Sequence, residues 1–204
     1  MMPFKIGADA RCTDGACGQV SRIIVNPVTR EVTHLAVDPR HRRGPGRLVP
    51  VDLAEPTTGQ IRLRCTLAEF QTLRPAQETE SVRGLDPTGS AHAPKQVNWA
   101  VRMHAARDLG EVPRQVTVDS VPSGTVAIHR GVTVCATDGE IGQVQGLVVE
   151  PGSHQVTHVL LQKGRMPGRK EVPIPIGAVT KIGVFLIHLS LTKHQVKDLP
   201  PRGH

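Results

Sequence analysis

Apolar and polar residues alternate over short runs along this chain, and each run is interrupted by glycine, proline or an Asp-Gly pair. A period of two predicts β-strands with one buried face. Residues 10–13 and 16–25 flank Asp14-Gly15, which predicts a hairpin turning on those two residues, because both accept positive φ. That register sets Thr13 opposite Ala16 and Cys12 opposite Cys17. Gly18 predicts a bulge or a close backbone approach. Residues 32–37 form the next strand, with Thr33, Leu35 and Val37 on one face and Val32, His34 and Ala36 on the other. Residues 48–51 return as a strand in which Pro50 marks an edge or a bulge, and residues 61–65 alternate an apolar face with a basic one. Thr66 and Glu69 have capping-box spacing and open a short helix over 67–73.

The whole series then recurs. Residues 10–37 and 134–161 align without a gap at an offset of 124, with eleven of 28 positions identical. The shared signature is Thr-Asp-Gly, Gly-Gln-Val and Val-Thr-His: Asp14, Gly15, Gly18 and His34 in the first copy, Asp138, Gly139, Gly142 and His158 in the second. Val172-Pro173-Ile174 answers Val49-Pro50-Val51, and Thr192 with Gln195 repeats the capping box. Two copies of one folding unit are therefore expected, as domains at 1–75 and 125–202. The intervening 76–124 is rich in Glu, Thr, Ser, Gly and Pro through residue 94 and reads as a partly disordered linker. Its denser part, 97–103, holds the single Trp99 and reads as a docking segment, and 116–118 predicts an extra strand.

Composition adds two constraints. The 204 residues include three Phe, one Trp and no Tyr, so the cores are aliphatic. Net charge is +7 and the pI about 9.7, which favours anionic partners. Residues 38–47 carry Arg40, Arg42, Arg43 and Arg47 against Asp38, a net of +3, and residues 162–171 carry Lys163, Arg165, Arg169 and Lys170 against Glu171, again +3. Both segments follow the Val-Thr-His strand of their repeat. No run is long and apolar enough for a transmembrane segment, and the first residues lack an apolar signal core, so a cytoplasmic protein is expected.

With these motifs in place, the chain resembles the PRC-barrel family, and most closely its tandem members of actinobacterial type. Residues 136–144 (ATDGEIGQV) and 169–175 (RKEVPIP) carry the resemblance most specifically. It covers both repeats and leaves out the linker. It implies an all-β fold of two small antiparallel barrels in tandem, each ending in a short helix. It also implies a protein that binds other macromolecules and does not catalyse. The family includes the barrel of the photosynthetic reaction-centre H subunit and the C-terminal domain of the ribosome maturation factor RimM. These residues contain no counterpart of the former's membrane helix or the latter's N-terminal domain, so neither of those two roles is expected.

The candidate chemistry is sparse. Asp14 with His34, and Asp138 with His158, have the residue types of an oriented general base, but no nucleophile is repeated beside them except a threonine. Their presence in both copies argues for a role in the fold. Cys12 and Cys17 form a candidate redox pair, with reduced thiols expected in a cytosolic chain. No spacing suits a metal, and no glycine-rich phosphate loop occurs, so no metal or cofactor is expected. The expectation is a non-enzymatic adaptor whose two basic loops engage an acidic protein. Structured RNA or the ribosome is the alternative partner, and a small hydrolase or thiol-redox enzyme a remote one. A homo-oligomer is compatible with the sequence.

Overall fold

The computed structural model describes residues 1–39, 45–57, 59–82, 114–162 and 171–199. The first repeat contains β1 (Met2–Lys5), β2 (Asp9–Cys12), β3 (Gly15–Asn26), β4 (Glu31–Asp38), β5 (Arg47–Pro50), β6 (Ala54–Thr57), β7 (Gln60–Leu63) and α1 (Leu67–Thr72). Two strands, β8 (Gln77–Val82) and β9 (Arg114–Asp119), lie within the linker. The second repeat contains β10 (Val126–His129), β11 (Thr133–Ala136), β12 (Gly139–Val149), β13 (Val156–Gln162), β14 (Glu171–Pro175), β15 (Val179–Ile182), β16 (Leu186–Leu189) and α2 (Lys193–Asp198). A single 3-10 turn follows β5 and another follows β14.

Two curled sheets result, half-barrels in tandem, with the strand orders β5-β4-β3-β2-β7-β6 and β14-β13-β12-β11-β16-β15. The ladders are antiparallel apart from β2 with β7 and β11 with β16, which run parallel. Each sheet is therefore mixed, where the family resemblance implied small antiparallel barrels. Strands β8 and β9 form an antiparallel ladder in a unit apart from the two sheets. The predicted strand at 116–118 lies within β9, and the Trp99 docking segment lies outside the described residues.

The repeated signature encodes the curl. Ala10 pairs with Gly18 but Arg11 with Ala16, so Cys17 is an extra residue, and Ile141 is its counterpart. Ser21 and Thr33 are extra residues between β3 and β4, as Gln145 and Thr157 are between β12 and β13. Each bulge bends its strand and raises the local twist. The bulge at Thr33 also changes the expected faces: Val32 joins Leu35 and Val37 in the core, and the Thr33 hydroxyl reaches back to Ile24 O at 3.4 Å. Gly18 and Gly142 sit where a Cβ would collide with the backbone carbonyl oxygens of Asp38 and Gln162 respectively.

The two repeats are interleaved. Strand β1 pairs with β12 of the second repeat (Phe4 with Leu147), and β10 pairs with β3 of the first (Ile128 with Ile23). These registers obey the same offset of 124, so each repeat gives its opening strand to the other. The β3–β4 and β12–β13 turns also meet. Val32 N donates to His154 O at 3.0 Å, and Val156 N donates to Arg30 O at 2.8 Å. Arg30 and His154 have φ of 59° and 54°, the left-handed region, at equivalent positions. The Arg30 guanidinium then reaches Ile176 O and Val179 O, and His154 Nδ1 lies 3.4 Å from Asp52. The larger of two hydrophobic clusters, mostly aliphatic and including Phe4, Ile23, Leu35, Ile128, Leu147 and Val159, runs through both repeats, and residues 1–76 and 121–204 form one compact unit.

Candidate functional site

The hairpin turn of the repeated signature does not fall on Asp14-Gly15. Cys12 pairs with Gly15, which places Thr13 and Asp14 in the turn and sets Arg11, not Thr13, opposite Ala16. The reason is a second partner for the turn. Asp14 Oδ1 accepts from Leu67 N at 2.8 Å, and Thr13 N donates to Cys65 O at 3.0 Å. Asp138 and Thr137 repeat both bonds with Lys193 N and Leu191 O. The acid thus satisfies an amide at the start of each short helix, and the Thr66–Glu69 and Thr192–Gln195 capping boxes satisfy others.

Neither turn aspartate bonds to the strand histidine of its repeat. His34 lies on β4 opposite Pro50, half-buried, and its Nδ1 has no hydrogen-bond partner among the described residues. Burial lowers its pKa, the nearby charge of Arg74 lowers it further, and Asp52 acts in the opposite direction. His158 Nδ1 lies 3.1 Å from the Thr157 hydroxyl.

The predicted facing of Cys12 and Cys17 is also corrected, because Cys17 is the bulged residue. Cys12 Sγ lies 3.9 Å from Cys65 Sγ, and the Cys12 and Cys17 thiols also interact with each other. All three thiols are free and buried within the core. Burial pushes Cys12 and Cys65 up to about 12, and raises Cys17 as well, so these are neutral thiols in the native protein.

Arg40, Arg42, Arg43, Lys163, Arg165, Arg169 and Lys170 lie outside the described residues. The roots of the two segments are described. Arg47 donates to Leu73 O at 3.0 Å, and Glu171 binds Lys5 Nζ at 2.7 Å. Asp38 approaches the buried Arg22 at 3.8 Å, and a side chain on Gly46 would collide with the Asp38 carboxylate. The first segment therefore starts and ends at a tightly packed root.

A further feature escaped the sequence reading. A cleft of about 650 Å³ is lined by Arg11, Cys12, Thr13, Asp14, Gly15, Thr57, Gln60 and Arg62. Arg11 and Arg62 are exposed Cα partners on the parallel pair β2–β7. The basic alternation of 61–65 was the available signal for Arg62. Nothing local in the sequence shows that Arg11 lies beside it, because the two strands are about fifty residues apart and their pairing is parallel.

Among the described residues, no group of three or more His, Cys, Asp or Glu side chains is placed to hold a metal ion, and no helix is long and apolar enough to cross a membrane. No protein-family model matches the chain, and no curated protein matches it. The structure itself is a pair of interleaved half-barrels.

Proposed function

We propose that this chain is a cytoplasmic, non-enzymatic adaptor of PRC-barrel type that holds an acidic protein partner through its two basic segments. One observation carries the reading. The segments bridge equivalent strand pairs, β4 to β5 and β13 to β14, of two repeats locked together by exchanged strands. Each segment has a net charge of +3, so a partner meets cationic chain at two fixed anchorages. Connections carried by a rigid scaffold are common binding elements. The signature aspartates, and Gly18 and Gly142, are meanwhile occupied in turns, helix caps and close backbone approaches.

Structured RNA is the second reading, favoured by the chain's overall charge of +7. Aromatic platforms for stacking single-stranded bases are scarce in this composition, so RNA binding would rest on phosphate contacts. Affinity capture from lysate, with and without nuclease, separates the two. Partners that survive nuclease support the adaptor, and nuclease-sensitive ones support RNA. The variant Arg42→Glu, Arg43→Glu, Arg169→Glu, Lys170→Glu should lose them in either case. A variant that keeps every partner would exclude the basic segments.

A further inference from the structure

The cleft beside the first hairpin has no counterpart in the function just proposed. Its defining pair is Arg11 and Arg62, set directly opposite each other on adjacent strands. Like charges at that spacing repel and destabilise a ladder. Neither arginine has an ion pair or hydrogen bond among the described residues. Four other arginines of the first repeat are engaged, although Arg74 is not: Arg64 Nε donates to Glu55 at 2.6 Å, Arg47 to Leu73 O, Arg30 to Ile176 O and Val179 O, and Arg22 approaches Asp38. Glu55, opposite Arg62 across β6–β7, is thus already held by Arg64.

The repeat supplies an internal control. The second half-barrel has Cys135 and His188 as the parallel partners at the equivalent place, and it keeps the same ladder. The fold therefore does not need two arginines there. An anionic ligand would offset the paired charge, of which Asp14 in the same cleft balances only part.

We infer that the Arg11–Arg62 cleft binds a small phosphomonoester carrying hydroxyl groups. Two guanidinium forks offer several charge-assisted donors to a phosphoryl group, more than a single carboxylate uses. The Gln60 side chain adds an amide donor at the cleft wall. The hydroxyls of Thr13 and Thr57 already donate to Cys65 O and Gln60 O, so their oxygens face a ligand as acceptors. Asp14 binds Leu67 N through Oδ1, and its other oxygen can accept a ligand hydroxyl. Its negative charge disfavours a second anionic group at that end, so the phosphoryl group sits toward the arginines and the hydroxyls toward Asp14. No aromatic side chain lines the cleft, which leaves a nucleobase without a stacking surface. The volume lies within the range of small-molecule sites.

The test uses the full chain, with arginine Nε–H resonances as the readout. Ribose 5-phosphate should shift the Arg11 and Arg62 signals and bind more tightly than inorganic phosphate, while ribose or acetate alone should bind far more weakly. Arg11→Gln and Arg62→Gln should each weaken ribose 5-phosphate binding by about tenfold or more, with an unchanged circular dichroism spectrum. Arg130→Gln, at an exposed arginine that does not line the cleft, should bind like the parent. Three results would each overturn the inference: no shift at either arginine, equal binding by parent and cleft variants, or acetate matching the phosphomonoester. Capture of macromolecular partners by the basic segments is read separately, so either proposal can fail without the other.

Discussion

His34 shows how a repeated residue can look catalytic in sequence and titrate for another reason. Its imidazole sits half-buried, with its Nδ1 unpartnered among the described residues and Arg74 nearby, so the charged form is disfavoured in the native protein. The native pKa therefore lies below that of the unfolded chain, near 6.5. Above that value both states hold the neutral ring, and His34 contributes nothing to pH dependence. As pH falls below it, the unfolded chain takes up a proton that the native chain refuses, and stability declines until the native pKa is reached. Chemical denaturation at several pH values should therefore show a shallower acid loss for His34→Gln than for the parent. Parallel profiles would mean that the native ring protonates as readily as the unfolded one. Asp14, the other half of the sequence-level pair, spends its carboxylate on Leu67 N. The residue types were legible, but their separation was not: Asp14 caps an amide at the start of α1, while His34 stands on β4 with no partner for its Nδ1 among the described residues.

At the scale of elements, β2–β5, β7 and their counterparts in the second repeat, the Thr66 and Thr192 caps and both short helices follow from alternation and capping chemistry, whereas β1, β6, β10 and β15 were not read from the sequence. The registers do not follow from alternation. Cys17, Ser21 and Thr33 are each an added residue, and a one-residue slip turns the side chains beyond it to the other face. Gly18 was readable as a site of close approach, but its neighbour, the carbonyl of Asp38, lies at the far end of another strand. Gly18→Ala must push β3 from β4 at the root of the first basic segment, and should cost about 3 kcal/mol. Gly59→Ala is the comparison: its φ is +81° but no atom lies within 4 Å of an added Cβ, so about 1 kcal/mol is expected. Urea denaturation of both variants would measure the difference, and equal losses would show that strain in φ, not the collision, governs both sites.

For the whole molecule, the exchanged strands decide what counts as a folding unit. The sequence repeat suggested two barrels that each close on themselves. In the structure β1 covers residues 146–149 of β12, and β10 covers residues 22–25 of β3, with Phe4 and Ile128 almost wholly buried at the joins. Burying one such side chain is worth about 2–3 kcal/mol, a substantial part of the stability of a domain this small. Only the offset of 124, extended back to Met2–Lys5 and Val126–His129, hinted that these strands are equivalent, and nothing local says which repeat each one joins. Residues 1–82 and 114–204, made separately, should therefore each lack the strand that completes its sheet. Each alone should be poorly protected in hydrogen exchange or should self-associate by taking a second copy's opening strand. Mixed, they should form a one-to-one complex whose protected amides match those of the intact chain. Two independently folded monomers that ignore each other on mixing would show that the exchange adds little, and that each half-barrel closes on its own opening strand when the other is absent.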